Sequence, residues 1–419
     1  MRLHGLPAEL LLQIFLDLTL SDIGRLSQLS IFFADFCDDP FWKARLLRDR
    51  PELRTSEPVS GWKELYQESL YALGFGDFGL QDCRYRTRPQ KFDGSVPFRQ
   101  IAVGSDYALG IDLEGTIWAF GGNLYRQLGT GDQRIRNRFT SIDRKAKSIY
   151  AGNRQTIFID PEDSVWVVGV NHAGQLGLAH TKQVKNPTRL DFKAKRVAVG
   201  GQHTLFIDLE QKLWASGSNF YGQLGLGDRR SRLVPTQIPG MTVKEITAGE
   251  SFSAVIDQED RVWVFGWNRR GQLGLALERY EGLNPDVRFE LSPVQIPSMT
   301  ARRVSAGGDF LLIVDLEGRL WSCGRNYLGK LGLGHEQNAY SPELVHEELK
   351  VKEVAAGLCH SLVLDLEDSV WAFGSNYFGQ LGLGEANHQN HPTRIPGLTA
   401  KSIATGSAMS AVIALSYSK

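Results

Sequence analysis

The chain has 419 residues and carries 47 Lys and Arg against 47 Asp and Glu, so its formal net charge is zero. This length exceeds that of one ordinary compact domain and favours two domains or one large repeat fold. A balanced charge without runs of like charge argues against a binder of nucleic acid or anionic membrane, because such binding needs clustered Lys and Arg. The four cysteines are scattered, which is typical of free thiols in a reducing compartment.

The N-terminal segment, residues 1–68, has the apolar spacing of short helices. Pro7 stands at the favoured first position of a helix in "LPAELLLQIFLDL", Ser21 can cap a second helix, and Asp39 can begin a third. The stretch "GWKELYQESL", residues 61–70, predicts one further short helix. The first apolar run is too short and too charged to span a bilayer or to act as a signal peptide. Since so small a helical unit cannot bury all of its apolar side chains, it predicts a docking partner.

One phrase returns six times in the rest of the chain, as in "WASGSNFYGQLGLGD" from Trp214 to Asp228. The tryptophans that open it are Trp118, Trp166, Trp214, Trp263, Trp321 and Trp371. They are separated by 48, 48, 49, 58 and 50 residues. A period of this length indicates a solenoid or a propeller. Because the glycines recur in every copy, they are interpreted as turn and packing positions and not as a phosphate-binding loop.

Each copy of the repeat has the pattern of four short strands. Before Trp214, the runs "RVAVG" and "TLFID" are rich in β-branched residues, an acidic turn follows, and "LWASG" is the next strand. A proline introduces the fourth segment, which predicts an outer edge strand because proline cannot donate to a ladder. These prolines are Pro187, Pro235, Pro293, Pro342 and Pro392. In such a blade we expect the tryptophans to anchor the core and the Asn and Gln of the phrase to bond loop backbone.

The two ends of the repeat region complement each other. The C-terminal "KSIATGSAMSAVIAL" matches the first half of a copy, and Leu70–Asp82 matches the second half with Tyr71 in the tryptophan place. A seventh blade closed by both ends of the domain removes free sheet edges. The sequence therefore predicts an all-β seven-bladed β-propeller over residues 69–419, with four-stranded antiparallel blades.

The phrase "GxNxxGQLG" with a trailing "LGxG" resembles the repeat of the regulator of chromosome condensation family, over about residues 69–417. This resemblance also implies a seven-bladed propeller. It offers an alternative activity, since the commonest relative is a nucleotide-exchange factor for the Ran GTPase. The protruding hairpin and the basic tail of that relative have no match in this chain.

The pattern "LPAELLLQIFLDLTLSDIGRLSQLS", followed by "FW", resembles an F-box over about residues 3–50. The resemblance implies a small all-α F-box-like domain at residues 1–50, which a helical linker at 51–68 joins to the propeller. Domains of this family dock a Skp-type adaptor, which links them to a cullin scaffold. The side chains expected at the adaptor are Leu6, Pro7, Glu9, Leu10, Ile14, Phe15, Ile23, Leu26 and Trp42. The alternative is an apolar helical cap that plugs one face of the propeller.

No catalytic or metal-binding pattern is found in the sequence. The nine histidines lack metal-ligand spacing, and no set of nucleophile, base and orienting residue can be assigned. The "HQNH" stretch at residues 388–391 is better explained as an exposed polar loop than as a zinc contact. We therefore expect no cofactor, no metal and no catalytic residue on this chain.

Two groups of residues are candidate target-binding positions. His203 and His360 occupy one place in the repeat, where the other copies vary, and such variation is typical of a ring of side chains at one end of the channel. An insertion at Ala276–Ser292 makes the fourth copy nine residues longer between its Trp and its Pro than the neighbouring copies. The residues of interest there are Arg279, Tyr280, Arg288 and Phe289. These residue types are common in interface cores and hot spots, although a tolerated surface insertion is the alternative.

Together these features predict a substrate-recognition subunit of a cullin-type ubiquitin ligase that is not itself an enzyme. The F-box-like domain docks the adaptor in this prediction, and the propeller holds an unknown target protein. The alternatives are a guanine-nucleotide exchange factor for a Ran-like small GTPase and a non-catalytic interaction scaffold. The expected location is the cytoplasm, the nucleus or both, in or acting within a eukaryotic cell, with neither nucleic acid nor membrane as a partner.

Overall fold

The computed structural model describes residues 69–74, 86–91, 96–284, 288–384 and 387–417. Within these residues the regular elements are β-strands and two short 3-10 helices, Leu277–Tyr280 and Tyr327–Gly329. The all-β prediction is therefore confirmed for the repeat region. The F-box-like domain, the linker and the nine predicted adaptor contacts lie outside the described residues. The last two residues of the helix predicted at 61–70 belong to a strand instead, because they pair with the C-terminal strand.

The strands follow one another with short connections. In chain order they are β1 (Ser69–Gly74), β2 (Arg86–Lys91), β3 (Phe98–Val103), β4 (Tyr107–Asp112), β5 (Thr116–Gly121), β6 (Arg136–Lys145), β7 (Ser148–Ala151), β8 (Gln155–Ile159), β9 (Ser164–Gly169), β10 (Val184–Lys193), β11 (Arg196–Val199), β12 (His203–Ile207), β13 (Lys212–Gly217), β14 (Arg232–Ala248), β15 (Phe252–Asp257), β16 (Arg261–Trp267), β17 (Phe289–Ala306), β18 (Phe310–Asp315), β19 (Arg319–Gly324), β20 (Ala339–Ala356), β21 (His360–Asp365), β22 (Ser369–Gly374), β23 (Gln389–Thr405) and β24 (Met409–Tyr417).

Antiparallel pairing divides the strands into units of four. Unit 1 is β3 to β6, and unit 2 is β7 to β10. The four strands of a unit are named A to D, from the central cavity outward. From unit 3 onward one long strand serves two units: the first half of β14 is strand D of unit 3, and its second half is strand A of unit 4. Strands β17, β20 and β23 are shared in the same way by units 4 and 5, units 5 and 6, and unit 6 and a closing unit.

The closing unit joins the two ends of the repeat region. Its inner strands are the second half of β23 and β24, and its outer strands are β1 and β2. Tyr71 lies opposite Val412, just as Trp214 lies opposite Phe206 in unit 3. The predicted pairing of the two ends, with Tyr71 in the tryptophan place, is confirmed.

The prolines that begin the fourth segments lie on the outer strands, as predicted. Pro235 lies in the half of β14 that pairs with β13, at a point where the pairing register shifts. Its ring packs against Gly177 of the preceding unit, where an added Cβ would lie 3.0 Å from Pro235 Cδ. Gly177 also has a φ of +75°, which disfavours any residue with a Cβ. Both constraints make this glycine a scaffold position, in agreement with its repetition.

A repeated hydrogen bond between aspartate and tryptophan fixes the turn between strands B and C. Asp208 Oδ1 accepts from the backbone N–H groups of Glu210 and Lys212, and Asp208 Oδ2 accepts from Trp214 Nε1 at 2.8 Å. The indole–carboxylate bond recurs at 2.8 Å in each of units 1 to 6. The half-buried ring of Trp214 packs on the apolar core of unit 2. The predicted role of the tryptophan as an anchor between units is confirmed.

Candidate functional site

In units 1 to 6 the A–B loop and the C–D loop lie together at one end of the strands. Backbone hydrogen bonds join them: Gly122 N–H donates to Asp106 O at 2.8 Å, and Ser218 N–H donates to Gln202 O at 2.9 Å. This end is called the loop face, and the opposite end, with the B–C turns, is called the turn face. A cavity of about 240 Å³, open to solvent, lies at the loop face between the ends of the inner strands. Its lining is chiefly glycine and alanine, so few side chains there can make specific contacts.

The Asn of each phrase and the Gln of five of the six phrases hold the C–D loop, as predicted. Asn219 Oδ1 accepts from Leu224 N–H at 2.9 Å, and its Nδ2 donates to Asp228 O at 2.7 Å. Gln223 Oε1 accepts from Tyr221 N–H at 2.9 Å. The residue after each Asn is left outside this network, and the exposed ones are Leu124, His172, Phe220, Tyr327 and Tyr377. In the sequence, each of these residues occupies the variable position after the Asn of an otherwise constant phrase. The predicted target-binding residues did not include this position.

Arginine side chains stack on aromatic rings of the loop face. The guanidinium carbon of Arg154 lies 4.3 Å from the centre of the Tyr125 ring. That of Arg229 lies 4.7 Å from the Phe220 ring and 5.1 Å from the Phe289 ring. Contacts of this kind hold the guanidinium plane in a fixed orientation. Phe289, a predicted target-binding residue, is thus brought beside an exposed arginine.

The insertion at Ala276–Ser292 is anchored to the core. Its 3-10 helix places Tyr280 in an apolar cluster of units 4 and 5, where the residue is 4% exposed, and its hydroxyl donates to Glu290 Oε1 at 2.8 Å. Burial raises the pKa of Tyr280. The prediction of Tyr280 as a surface contact is therefore wrong, because its ring is part of the core. Arg279 is exposed and pairs with Glu290 at 2.7 Å, whereas Arg288 is half-buried.

His203 and His360 are buried between neighbouring units and do not form an exposed ring. Each is 0% exposed, with His203 Nε2 2.9 Å from Ser253 Oγ and His360 Nε2 2.8 Å from Ser410 Oγ. Burial lowers the pKa of His203 to about 4 and that of His360 to about 3, so both are neutral at pH 7. The prediction of target-binding residues at the position of His203 and His360 is wrong. Gly200, three residues before His203, leaves room for the histidine ring to lie under the loop. An added Cβ on Gly200 would lie 2.4 Å from His203 Cε1.

Lys330 replaces the constant glutamine of the phrase in unit 5. Its side chain is 2% exposed, its ammonium pairs with Asp309, and its Nζ lies 5.0 Å from the centre of the Phe310 ring. A buried ion pair needs both partners, since either charge alone is costly to bury. This pair therefore has a structural role in the loops of unit 5.

Little other chemistry is found in the part of the chain that the structure describes. There, no group of three or more His, Cys, Asp or Glu side chains is placed to hold a metal ion. Within the same ranges, no helix is long and apolar enough to cross a membrane. In the "HQNH" stretch, His388 Nδ1 accepts from Asn376 N–H at 2.9 Å and its ring contacts Tyr377 edge-on, so this histidine belongs to the loop framework. Cys323 is a buried free thiol, and Cys359 is a half-buried one.

Models of two protein families match the sequence. The model described as the regulator of chromosome condensation (RCC1) repeat matches residues 162–207, 210–256, 259–314, 317–364 and 367–413, which together exceed half of the chain. The chain belongs to the RCC1 repeat family. A second model of the same repeat matches residues 194–223, 243–272 and 351–380. The model described as F-box-like matches residues 3–48, so this RCC1-repeat protein carries an F-box-like domain at its N-terminal end.

Solved structures share the propeller fold of this RCC1-repeat chain. Prp20p from Saccharomyces cerevisiae superposes with a TM-score of 0.74 at 21% identity, covering 87% of this chain and 97% of Prp20p. Human WBSCR16 superposes with a TM-score of 0.71 at 19% identity, covering 83% of this chain and 98% of WBSCR16. Prp20p has been studied for its binding to Gsp1p and histones. No curated protein sequence matches the chain. These likenesses establish the fold, and the function is argued from the residues of this chain.

Proposed function

We propose that this protein is the substrate-recognition subunit of a cullin-type ubiquitin ligase, located in the cytoplasm, the nucleus or both. The observation that carries the proposal is the presence of an F-box-like domain and RCC1 repeats on one chain. The F-box-like domain docks a Skp-type adaptor through the nine residues predicted from its sequence. The loop face of the propeller holds the target protein.

The repeat region supplies a rigid platform for this role. In the proposal, units 1 to 6 and the closing unit are the seven blades of one closed ring. Shared strands tie each of units 3 to 6 to the next, and the pairing of β1 with β24 joins the two halves of the closing unit. Loops on such a scaffold are well suited to binding, because the strands fix their positions.

The proposed role needs no chemistry from this chain. A receptor of this kind works by proximity, because it keeps the target close to a ubiquitin-charged enzyme that other subunits hold. The exposed rings of Phe220 and Tyr377 support target binding at the loop face, since aromatic side chains are enriched in interface hot spots. Arg279, Arg288 and Phe289 remain candidates for the same surface.

Co-purification with the adaptor tests this function. A Leu6→Ala/Pro7→Ala variant of the full-length chain should lose both adaptor and cullin, because truncating interface anchors typically costs roughly 2 kcal/mol or more. Phe220→Ala is the matched control, since it alters the loop face and should retain the adaptor. Unchanged adaptor recovery with the double variant contradicts the docking model.

A second candidate function is guanine-nucleotide exchange on a Ran-like small GTPase. The similar fold of Prp20p, which was studied for its binding to Gsp1p, favours testing this activity. The test measures the release of a fluorescent nucleotide from a Ran-type GTPase with and without the purified chain. Accelerated release, together with failure to recover the adaptor, favours exchange over the ligase role.

A further inference from the structure

Charge is unevenly placed on a chain whose overall net charge is zero. The A–B and C–D loops of units 1 to 3, here called the basic arc, contain eight basic residues against three acidic ones. These loops are residues 104–106, 122–136, 152–154, 170–184, 200–202 and 218–232. Of the three carboxylates, Asp132 and Asp228 are already paired with Arg136 and Arg232, both at 2.8 Å. The basic arc is therefore a positive surface with one further carboxylate, Asp106.

Five arginines of the basic arc have no carboxylate partner among the described residues: Arg126, Arg134, Arg154, Arg229 and Arg230. Arg126 Nη1 donates to a backbone carbonyl at 2.9 Å, and Arg229 Nε donates to Phe220 O at 2.7 Å. Within the described part of the chain, the terminal amino groups of Arg229 have no hydrogen-bond partner. Arg154, Arg229 and Arg230 are exposed to solvent. This leaves several guanidinium groups able to bind an anion.

Two of these guanidinium groups are held in place before any ligand arrives. Arg154 stacks on Tyr125 at 4.3 Å, and Arg229 stacks on Phe220 at 4.7 Å and contacts Phe289 at 5.1 Å. Less side-chain entropy is lost when a preoriented group binds, so such arginines bind more tightly than mobile lysines of the same charge. The planar fork of the guanidinium also matches a carboxylate in a bidentate pair.

Exposed apolar side chains lie among the same loops. Leu124 is 64% exposed, Ile135 is 60% exposed and Phe220 is 59% exposed. Aliphatic side chains beside arginines fit a peptide, whereas contacts to a nucleic-acid backbone need no aliphatic surface. We propose that the basic arc binds an acidic segment of the target protein, with its arginines pairing the carboxylates and Leu124, Ile135 and Phe220 receiving neighbouring apolar side chains. This inference rests on the proposed role of the chain as a target receptor.

The test measures fluorescence anisotropy of a labelled 12-residue peptide in the presence of the full-length chain. The probe contains eight Glu, two Leu and two Gly, and its counterpart has Gln in place of every Glu. We expect the Glu peptide to bind with an affinity that falls as salt rises, and the Gln peptide to bind at least about tenfold more weakly, because charge-assisted pairs supply the affinity. Equal binding of the two peptides overturns the proposal.

A matched pair of variants separates the basic arc from net charge. Arg154→Gln/Arg229→Gln should weaken binding of the Glu peptide at least about tenfold, since each change removes one oriented charge. Lys193→Gln/Lys195→Gln removes the same charge from exposed side chains at the turn face and should change the affinity less than about twofold. Equal losses in the two variants, with thermal unfolding unchanged in both, overturn the proposed location.

Two single variants test the stacked geometry. Arg229→Lys keeps the charge but lacks the planar fork, and Phe220→Ala removes the ring below the guanidinium. We expect each variant to lower the affinity for the Glu peptide by about threefold. Wild-type affinity in both variants contradicts the role of the stacked arginine.

Other outcomes decide between this inference and the proposed function. A single-stranded 12-nucleotide DNA that binds more tightly than the Glu peptide overturns the peptide proposal. A chain that recovers the adaptor but binds no Glu peptide refutes the basic arc and leaves the receptor function standing. A chain that binds the Glu peptide at the basic arc but recovers no adaptor supports the surface and refutes the ligase role.

Discussion

The junction between units 3 and 4 differs from that between units 4 and 5 at one buried pair. In the first, His203 Nε2 lies 2.9 Å from Ser253 Oγ, which in turn donates to Gln223 O at 2.8 Å. In the second, the same places hold Phe252 and Leu311, which belong to one apolar cluster. A buried polar group needs a partner, whereas an apolar one needs only a complementary shape. At these two junctions the members of the buried pair therefore match in polarity, although the surrounding scaffold is the same.

Three of the other junctions extend this comparison. Tyr107 contacts Thr156 Oγ1 at 3.2 Å, and His360 contacts Ser410, so both are polar pairs. At the junction between the closing unit and unit 1, Met409 and Ala108 belong to one apolar cluster, so this pair is apolar. The junction between units 5 and 6 departs from this pattern, since the same places hold Phe310 and Ser361, whose hydroxyl donates to Lys330 O at 2.9 Å. The following changes should break or sharpen the comparison between polar and apolar junctions.

Removing the closing strand should have the largest effect. Deleting residues 405–419 takes away β24, which is the partner of β1 and of the second half of β23. Two sheet edges and an apolar core are then exposed, so we expect loss of cooperative thermal unfolding and aggregation of the whole repeat region. Calorimetry and light scattering measure both. A truncated chain that melts like the full-length protein refutes closure by the two ends.

The buried ion pair of unit 5 should give the next largest effect. Asp309→Asn leaves the 2% exposed Lys330 without its carboxylate, which costs about 3–5 kcal/mol. Adding Lys330→Gln restores the residue found in the other five units and should recover most of that loss. Urea denaturation of both single variants and the double variant gives the coupling energy. If Asp309→Asn alone is as stable as wild type, the pair has no structural role.

The two histidine junctions should make stability depend on pH. The folded pKa values, about 4 for His203 and about 3 for His360, lie below the ordinary value of 6.5. Their contribution is therefore fully present above pH 6.5 and is lost as the pH falls towards the folded values. When the pH is lowered from 7.5 to 5, each histidine should reduce the free energy of unfolding by roughly 2 kcal/mol.

Phenylalanine variants test the origin of this pH dependence. His203→Phe and His360→Phe introduce the residue of units 4 and 5 and remove the titrating group. Each should abolish about half of the pH-dependent loss, as measured by urea denaturation at the two pH values. An unchanged slope in the double variant shows that other groups carry the acid sensitivity.

The smallest expected effect comes from the scaffold that all junctions share. Asp208→Asn removes the acceptor for Trp214 Nε1, and Asp365→Asn removes the acceptor for Trp371 Nε1. Each should cost about 1 kcal/mol, because one hydrogen bond at a half-buried ring is lost. Thermal unfolding should show an equal loss of stability for the variant in unit 3 and the variant in unit 6. Clearly different losses mean that the turn is not an independent part of the scaffold.

Much of the fold was predictable because the determining residues recur with the repeat. The tryptophans, the prolines on outer strands and the place of Tyr71 in the closing unit were all found from spacing. The bond from Trp214 to Asp208 was not predicted, although both positions recur six residues apart. Spacing shows that two residues are fixed relative to each other, but it does not show that their polar atoms meet.

The candidate site was less predictable, because exposure depends on how loops fold back. Variation at His203 was interpreted as binding specificity, whereas the side chain is buried against Ser253 of the next unit. Tyr280 has the residue type of a hot spot, but the 3-10 helix turns its ring into the core. Phe220 and Arg229 were missed because their contact depends on loop geometry that no local pattern encodes. The residues that contact the adaptor lie outside the described ranges and remain predictions.

The closing unit also sets an order of events during synthesis. Gly74, the last residue of β1, and Met409, the first residue of β24, are 335 positions apart in the chain. At translation rates of about 5–20 residues per second, β1 waits roughly 20 to 70 seconds for its inner partner. Throughout that interval the nascent chain presents an unpaired strand edge, which is the kind of surface that chaperones cover. Of the described strands, β24 is thus the last to be synthesised, and it is the one that pairs with β1.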